Sequence, residues 1–180
     1  MRIIGGKHKG RKIRAPKNLP ARPTTDITKE SLFNALTGIL FFDEIEALDL
    51  FSGTGNIAYE LASRGTPKII AVDKHPASIR FIRKTASELK MPIQTVLSDV
   101  YKFLENPARS PFDFIFADPP YRFEPEKLIQ IVDSAIENGY LSPEGILVIE
   151  HHKKIRIDRH HAFRKARLYG QSVLSFFEHP

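Results

Sequence analysis

From residue 45 onward, short apolar runs alternate with amphipathic stretches. The runs at 45–50, 68–72, 93–97, 112–117 and 145–149 predict buried strands. Between them, residues 56–63 predict a helix closed by Arg64-Gly65, and Pro76 opens another that carries Ile79, Ile82, Ala86 and Leu89. A short helix is expected at 100–105, and Leu128, Ile131, Val132, Ala135 and Ile136 form a helical stripe before Asn138-Gly139. The tail predicts a hairpin, 164–169 and 172–177, around Gly170. Upstream, Leu32, Phe33, Leu36 and Leu40 repeat with helical period behind a cap at Thr25 or Asp26, with Gly38 as an earlier stop. Arg2-Ile3-Ile4 and Arg11-Lys12-Ile13-Arg14, divided at Gly10, predict an amino-terminal hairpin, and Pro16, Pro20 and Pro23 an extended connection.

Repeated strand–helix units predict an α/β fold, a mostly parallel sheet covered by helices on both faces. Ligands of such sheets bind beyond the carboxyl ends of the strands. The acids that end or closely follow strands, Asp49, Asp73, Asp99, Asp118 and Glu150, therefore predict a rim that accepts hydrogen bonds.

At 180 residues and 42% apolar content, the chain suits one domain with a sizeable core. It has no cysteine, which excludes disulfides and thiolate metal sites. No apolar stretch reaches the length of a signal peptide or a membrane span, so a cytoplasmic protein without membrane contact is expected.

Charge is segregated. Residues 1–25 carry eight basic side chains and no acid, whereas the net charge of the whole chain is only +6. A second cluster, Lys153, Lys154, Arg156, Arg159, Arg164, Lys165 and Arg167, is opposed by Asp158 alone. Closely spaced phosphates reward such concentration, so nucleic acid is the expected partner. The expected contacts are Arg2, Lys7, Lys9, Arg11, Lys12, Arg14, Arg22 and Thr24. A solvated, solubilising face is the bland alternative.

In Asp49-Leu50-Phe51-Ser52-Gly53-Thr54-Gly55, the glycines permit a tight turn from strand to helix and close approach of a ligand. Asp73 ends the next strand, where it can accept both hydroxyls of a ribose. That much also fits a nicotinamide dinucleotide. Three features favour S-adenosylmethionine: Ala58 replaces the third glycine of the dinucleotide fingerprint, Asp49 suits a cationic amino group, and Asp99 can accept from an adenine amine. Phe51, Lys74 and Val100 complete the expected cofactor set. No Lys-Ser/Thr pair follows the glycines, which excludes a P-loop.

Asp118-Pro119-Pro120-Tyr121 closes the fourth strand. A carboxylate and a carbonyl that accept both N–H bonds of an exocyclic base amine draw its nitrogen towards tetrahedral geometry. Tyr121 offers a stacking face, and Pro120 has no N–H to satisfy. Alone, the motif is a rigid turn; behind the acid and glycine pattern it points to methyl transfer onto a base nitrogen.

With these motifs the chain resembles the bacterial small-subunit ribosomal RNA guanine-N2 methyltransferases, members of the Rossmann-like class I methyltransferase fold with a seven-stranded sheet. The resemblance rests on Arg2-Ile3-Ile4-Gly5-Gly6, Lys9-Gly10-Arg11-Lys12, Arg22-Pro23-Thr24-Thr25-Asp26, the Asp49 to Gly55 motif and the Asp118 to Tyr121 motif. It implies that Asp49, Gly53, Gly55, Asp73 and Asp99 bind S-adenosylmethionine and that Asp118, Pro119, Pro120 and Tyr121 hold the guanine. The expected organisation is a basic arm over 1–24 on a methyltransferase domain over 25–180; the expected partner is small-subunit RNA or the assembled particle, and a monomer is expected although the sequence leaves the oligomeric state open. Ile27-Thr28-Lys29 departs from the family's basic run there, and Asp73 stands where the family often has glutamate. The competing readings are an adenine-N6 methyltransferase of DNA or RNA, a non-catalytic RNA-binding module and, more remotely, a nicotinamide oxidoreductase. The pairs His151-His152 and His160-His161 lack helical metal spacing, so surface or RNA-facing side chains are expected and no metal.

Overall fold

One seven-stranded sheet organises the computed structural model, which describes residues 1–16, 19, 26–120 and 124–180. The elements are α1 (Asp26–Leu36), β1 (Glu46–Leu50), α2 (Asn56–Ser63), β2 (Lys68–Asp73), α3 (Pro76–Glu88) and β3 (Ile93–Leu97). They continue with α4 (Val100–Leu104), β4 (Phe112–Ala117), α5 (Pro125–Glu137), β5 (Leu141–His152), β6 (Phe163–Tyr169) and β7 (Ser172–Phe177). Strand order is β3-β2-β1-β4-β5-β7-β6. The first five strands pair in parallel, and β7 pairs antiparallel to both β5 and β6.

Alternation along each strand divides the core between the two faces of the sheet. Phe114 and Phe116 of β4 pack with Leu32, Ile57, Leu61 and Ile82 from α1, α2 and α3. Ile115 and Ala117 face Leu104, Leu128, Ile131 and Val132 from α4 and α5. Pro76 and Pro125 start α3 and α5, where a missing N–H costs nothing.

Two elements differ from their sequence pattern. The first helix ends at Leu36 rather than reaching Leu40, because Gly38 takes a positive φ of 86°. Strand β5 begins at Leu141, four residues before its apolar run, with a register shift opposite Phe112 and Phe114. Exposed Pro143 and Glu144 interrupt the apolar signal there, and pairing with β4 resumes at Ile146. The proposed cap Thr25 and the connection residues Pro20 and Pro23 lie outside the described residues.

The amino-terminal hairpin is joined by an Arg2–Lys12 bridge and lies against α1 and α2. Ile3 and Ile13 enter the α1–α3 side of the core. At the tip, the Lys7 N–H donates to the Ser63 carbonyl at 2.7 Å and the His8 N–H to Ser63 Oγ at 2.9 Å, so the arm satisfies the last turn of α2. Gly6 is required there: a Cβ would stand 1.8 Å from the Ser63 carbonyl oxygen.

A buried ion pair fastens the three segments. Lys29 and Glu60 have side chains with 0% exposure, and their charged atoms lie 3.7 Å apart. Lys29 Nζ also donates to the Arg2 carbonyl and to Asn56 Oδ1, the latter at 2.9 Å. Glu60 accepts from the Ile4 N–H at 2.9 Å and from Arg64 Nε at 3.0 Å. Burial pulls the Lys29 pKa below its ordinary value, against the opposing pull of Glu60 and Asp26. Removing one member of a buried pair strands the other charge. Glu60→Ala should therefore lose about 3–5 kcal/mol of stability, read from its urea unfolding midpoint.

Candidate functional site

A cleft of about 1090 Å³ opens beyond the carboxyl ends of the parallel strands. All five rim acids, Asp49, Asp73, Asp99, Asp118 and Glu150, line it. The chain leaves β1 towards β2 on one side, and β4 returns on the other, so the strand order reverses between β1 and β4. Leu50 and Ala117 are direct partners in that pair. The turn after β1 and the Asp118 segment therefore emerge side by side.

The glycine turn is held by carboxylates. Gly53 N–H donates to Asp73 Oδ2 at 2.8 Å, and the His75 N–H donates to the other oxygen at 2.8 Å. Ala58 N–H, in the first turn of α2, donates to Asp49 Oδ2 at 3.2 Å. Ser52 Oγ donates to the Asp49 carbonyl at 2.6 Å. Phe51 and Gly53 take positive φ values of 57° and 52°, which swing the loop over the strand ends.

Asp49 is 2% exposed, and burial pushes its carboxyl up to about 8. The Ala58 N–H opposes that shift and the nearby Asp73 adds to it. Asp99 accepts the Tyr101 N–H at 3.0 Å and the Lys102 N–H at 3.4 Å through the same oxygen, which makes it the cap of α4.

Phe51, Gly53, Lys74 and Val100 also line the cleft. Gly55 does not; a Cβ at its φ of 80° would stand 2.9 Å from Ile82 Cγ1 and from Tyr59 Cζ, so its smallness serves packing of α2 on α3. On the other rim are Asp118, Pro119 and Pro120, whereas Tyr121 lies outside the described residues. Sequence reasoning missed the β6–β7 turn, whose Tyr169, Gly170 and Gln171 line the cleft, and Thr28, Asn56 and His152 beside them. The hairpin itself was legible around Gly170. Its position over the cleft follows from pairing β7 with β5, which sets Ser172 opposite His152.

The histidines sort differently from expectation. His151 is buried, not surface or RNA-facing: its Nε2 lies 2.8 Å from Ser175 Oγ, and burial lowers its pKa. The cause is the sheet, since β7 covers that edge of β5. His160 Nε2 meets Asp133 Oδ1 at 2.9 Å. Among the described residues no group of three His, Cys, Asp or Glu side chains could hold a metal.

Arg2, Lys7, Lys9, Arg11, Lys12 and Arg14 are exposed on the docked hairpin and none lines the cleft. The Arg2 guanidinium stands 4.0 Å from Asp26. Arg22 and Thr24 lie outside the described residues. No helix among the described residues is long and apolar enough to cross a membrane.

The residues present suit S-adenosylmethionine and oppose a dinucleotide. An ammonium group, a ribose diol and an adenine amine all donate hydrogen bonds, and three carboxylates line this side of the cleft. A pyrophosphate would need the amides at the turn and at the start of the helix. Here the Gly53 and Ala58 N–H groups already donate to Asp73 and Asp49.

Sheet order, acid rim and glycine turn together define a class I S-adenosylmethionine-dependent methyltransferase fold. The chain belongs to the family described as Conserved hypothetical protein 95, whose model matches residues 1–178. Ribosomal RNA small subunit methyltransferase D of Haemophilus influenzae is 31% identical over 85% of this chain and 79% of its own length. The solved yhhF structure from Escherichia coli is 28% identical with a TM-score of 0.85, covering 98% of this chain and 96% of that one. At 21% identity the fold alone is shared with the Thermus thermophilus 16S rRNA N2 G1207 methyltransferase RsmC, solved with AdoMet and guanosine. There the TM-score is 0.71, over 89% of this chain and 45% of that one.

Gly55→Ala places a side chain in a left-handed conformation and against two neighbours. A loss of about 1–3 kcal/mol is expected, visible as a lowered melting temperature.

Proposed function

We propose that this protein methylates the exocyclic N2 of a guanine in small-subunit ribosomal RNA, as free RNA or within the assembled particle. One observation carries the reading: the carboxylate-held glycine turn and the Asp118-Pro119-Pro120 segment line the same cleft. The name of the Haemophilus influenzae relative, a ribosomal RNA small subunit methyltransferase, supports the substrate class.

Bound S-adenosylmethionine supplies an electrophilic methyl group on a sulfonium. Asp49 would hold its amino group, Asp73 its ribose and Asp99 its adenine. Across the cleft, the Asp118 carboxylate and the Pro119 carbonyl accept the two N–H bonds of the base amine. This localises the nitrogen lone pair that ring conjugation otherwise disperses. Preorganised acceptors of this kind supply most of the acceleration, so no strong base is needed. Asp118, or water, takes the proton that the product amine sheds.

The acid favours guanine. Guanine presents two adjacent donors, N1–H and N2–H, which one carboxylate accepts together. Adenine pairs a donor with an acceptor, and a matched bidentate contact discriminates by about 1–3 kcal/mol. Extruding a base costs least where it is unpaired, which favours loops and junctions.

The direct test supplies labelled methyl donor with unmodified small-subunit particles and maps the product by mass spectrometry. Methyl on guanine N2 is expected; methyl on adenine N6, or none, overturns the reading. Asp118→Ala should lower kcat by about 10²–10³-fold while cofactor binding persists in calorimetry.

Cofactor binding should also depend on pH. Below about 8, Asp49 of the free protein is protonated, and an ammonium ion is held by the ionised form. Binding therefore expels a proton, so affinity should rise from about pH 6 to about pH 8, by up to about tenfold per unit. Calorimetry with S-adenosylhomocysteine in two buffers of different ionisation heat checks this. Asp49→Asn should abolish the pH dependence.

A further inference from the structure

A second groove, of about 540 Å³, runs between the returning strand of the amino-terminal hairpin and α3. Among the described residues its walls carry five cations: Arg11, Lys12 and Arg14 from the hairpin, and Arg80 and Lys84 from the helix. Among the described residues the single acid on its walls is Glu88, 3.9 Å from Lys84. Arg11, Lys12, Arg14 and Arg80 have no ionic partner among the described residues, and all four are exposed.

The second basic cluster in the sequence contrasts with this. Arg156 is paired with Asp158 at 2.8 Å, Arg164 with Glu178 at 3.3 Å, and Lys165 lies over the Phe176 ring at 5.1 Å. Arg156, Arg164 and Lys165 are thus answered within the fold, whereas of the groove's cations only Lys84 has an ionic partner among the described residues.

Arg80 and Lys84 are four residues apart on one helix face, a spacing at which like charges repel. Three more cations across the groove add to that repulsion. An anion with several evenly spaced charges would relieve it, and a small anion would answer only one or two. Ile13, Phe81 and Leu89 contribute apolar surface to the groove, suited to the sugar faces of such a chain. The groove also adjoins the main cleft: His75 lines the cleft and Ala77 lines the groove, with Pro76 between them.

From this we infer that the hairpin–α3 groove binds the phosphodiester backbone of RNA, extending the RNA footprint from the arm onto the Arg80–Lys84 face of α3. The inference rests on the RNA substrate proposed above, but its test separates the two. Binding of a fluorescent single-stranded RNA of mixed sequence is measured by anisotropy against salt for the full chain and for Arg80→Ala/Lys84→Ala. Each phosphate contact with a single strand contributes about 0.7 to the slope of log affinity against log salt. The double variant should bind about tenfold more weakly at low salt, with a slope shallower by about 1.4.

Its KM for unmodified particles should rise, while affinity for S-adenosylhomocysteine stays at the wild-type value and reports an intact fold. Unchanged RNA affinity, or weaker binding with an unchanged slope, overturns the groove assignment even if wild-type protein methylates particles. A charge-dependent loss of RNA binding without any methylation of particles upholds the groove and overturns the proposed reaction.

Discussion

Parallel pairing of β1 with β4 is the constraint on which the rest of this molecule depends. These strands are distant in sequence, and their register sets Leu50 beside Ala117. Because strand order reverses between them, neither helical layer closes the gap above their ends. A cofactor turn and an acceptor loop then share one opening without either loop being long. Asp73 fixes the turn from the neighbouring strand, which ties β2 to the same arrangement.

Electrostatics in the cleft follows from how its acids are used. Asp73 and Asp99 take backbone N–H donors and act as local ties as well as rim groups. Asp49 is different, since burial dominates the single amide it accepts and raises its pKa. A neutral acid at that depth is tolerated by itself, and a cationic partner makes the charged form favourable. The same amides that hold Asp49 and Asp73 are lost to phosphate recognition, so the turn selects among cofactors before any shape is considered.

Much of this was legible in sequence because periodicity and strand-ending residues are local signals. The acids at 49, 73, 99, 118 and 150 each follow an apolar run, and all five reach the cleft. What was hidden was set by long-range pairing. Nothing local in the sequence marks Lys29 for burial, yet it is buried against Glu60 because the hairpin covers α1 and α2 there. His151 reads as one of a polar pair, yet β7 covers it. Tyr169 to Gln171 could be read as a turn, but only strand order brings that turn over the cleft. Gly55 was legible as a glycine required by a turn, whereas its contacts with Tyr59 and Ile82 were not.

The seating of the amino-terminal hairpin has a consequence for the order in which the chain matures. Ile3 and Ile13 leave a ribosome before α2 does, but the surface that buries them includes α2, and the hairpin's anchors Glu60 and Ser63 are made some fifty residues later. Until then the nascent segment has no core to enter, and its backbone donors near Ile4 and His8 remain in water. Synthesis in that direction leaves the hairpin waiting on later helices, so it cannot dock until α2 has been made.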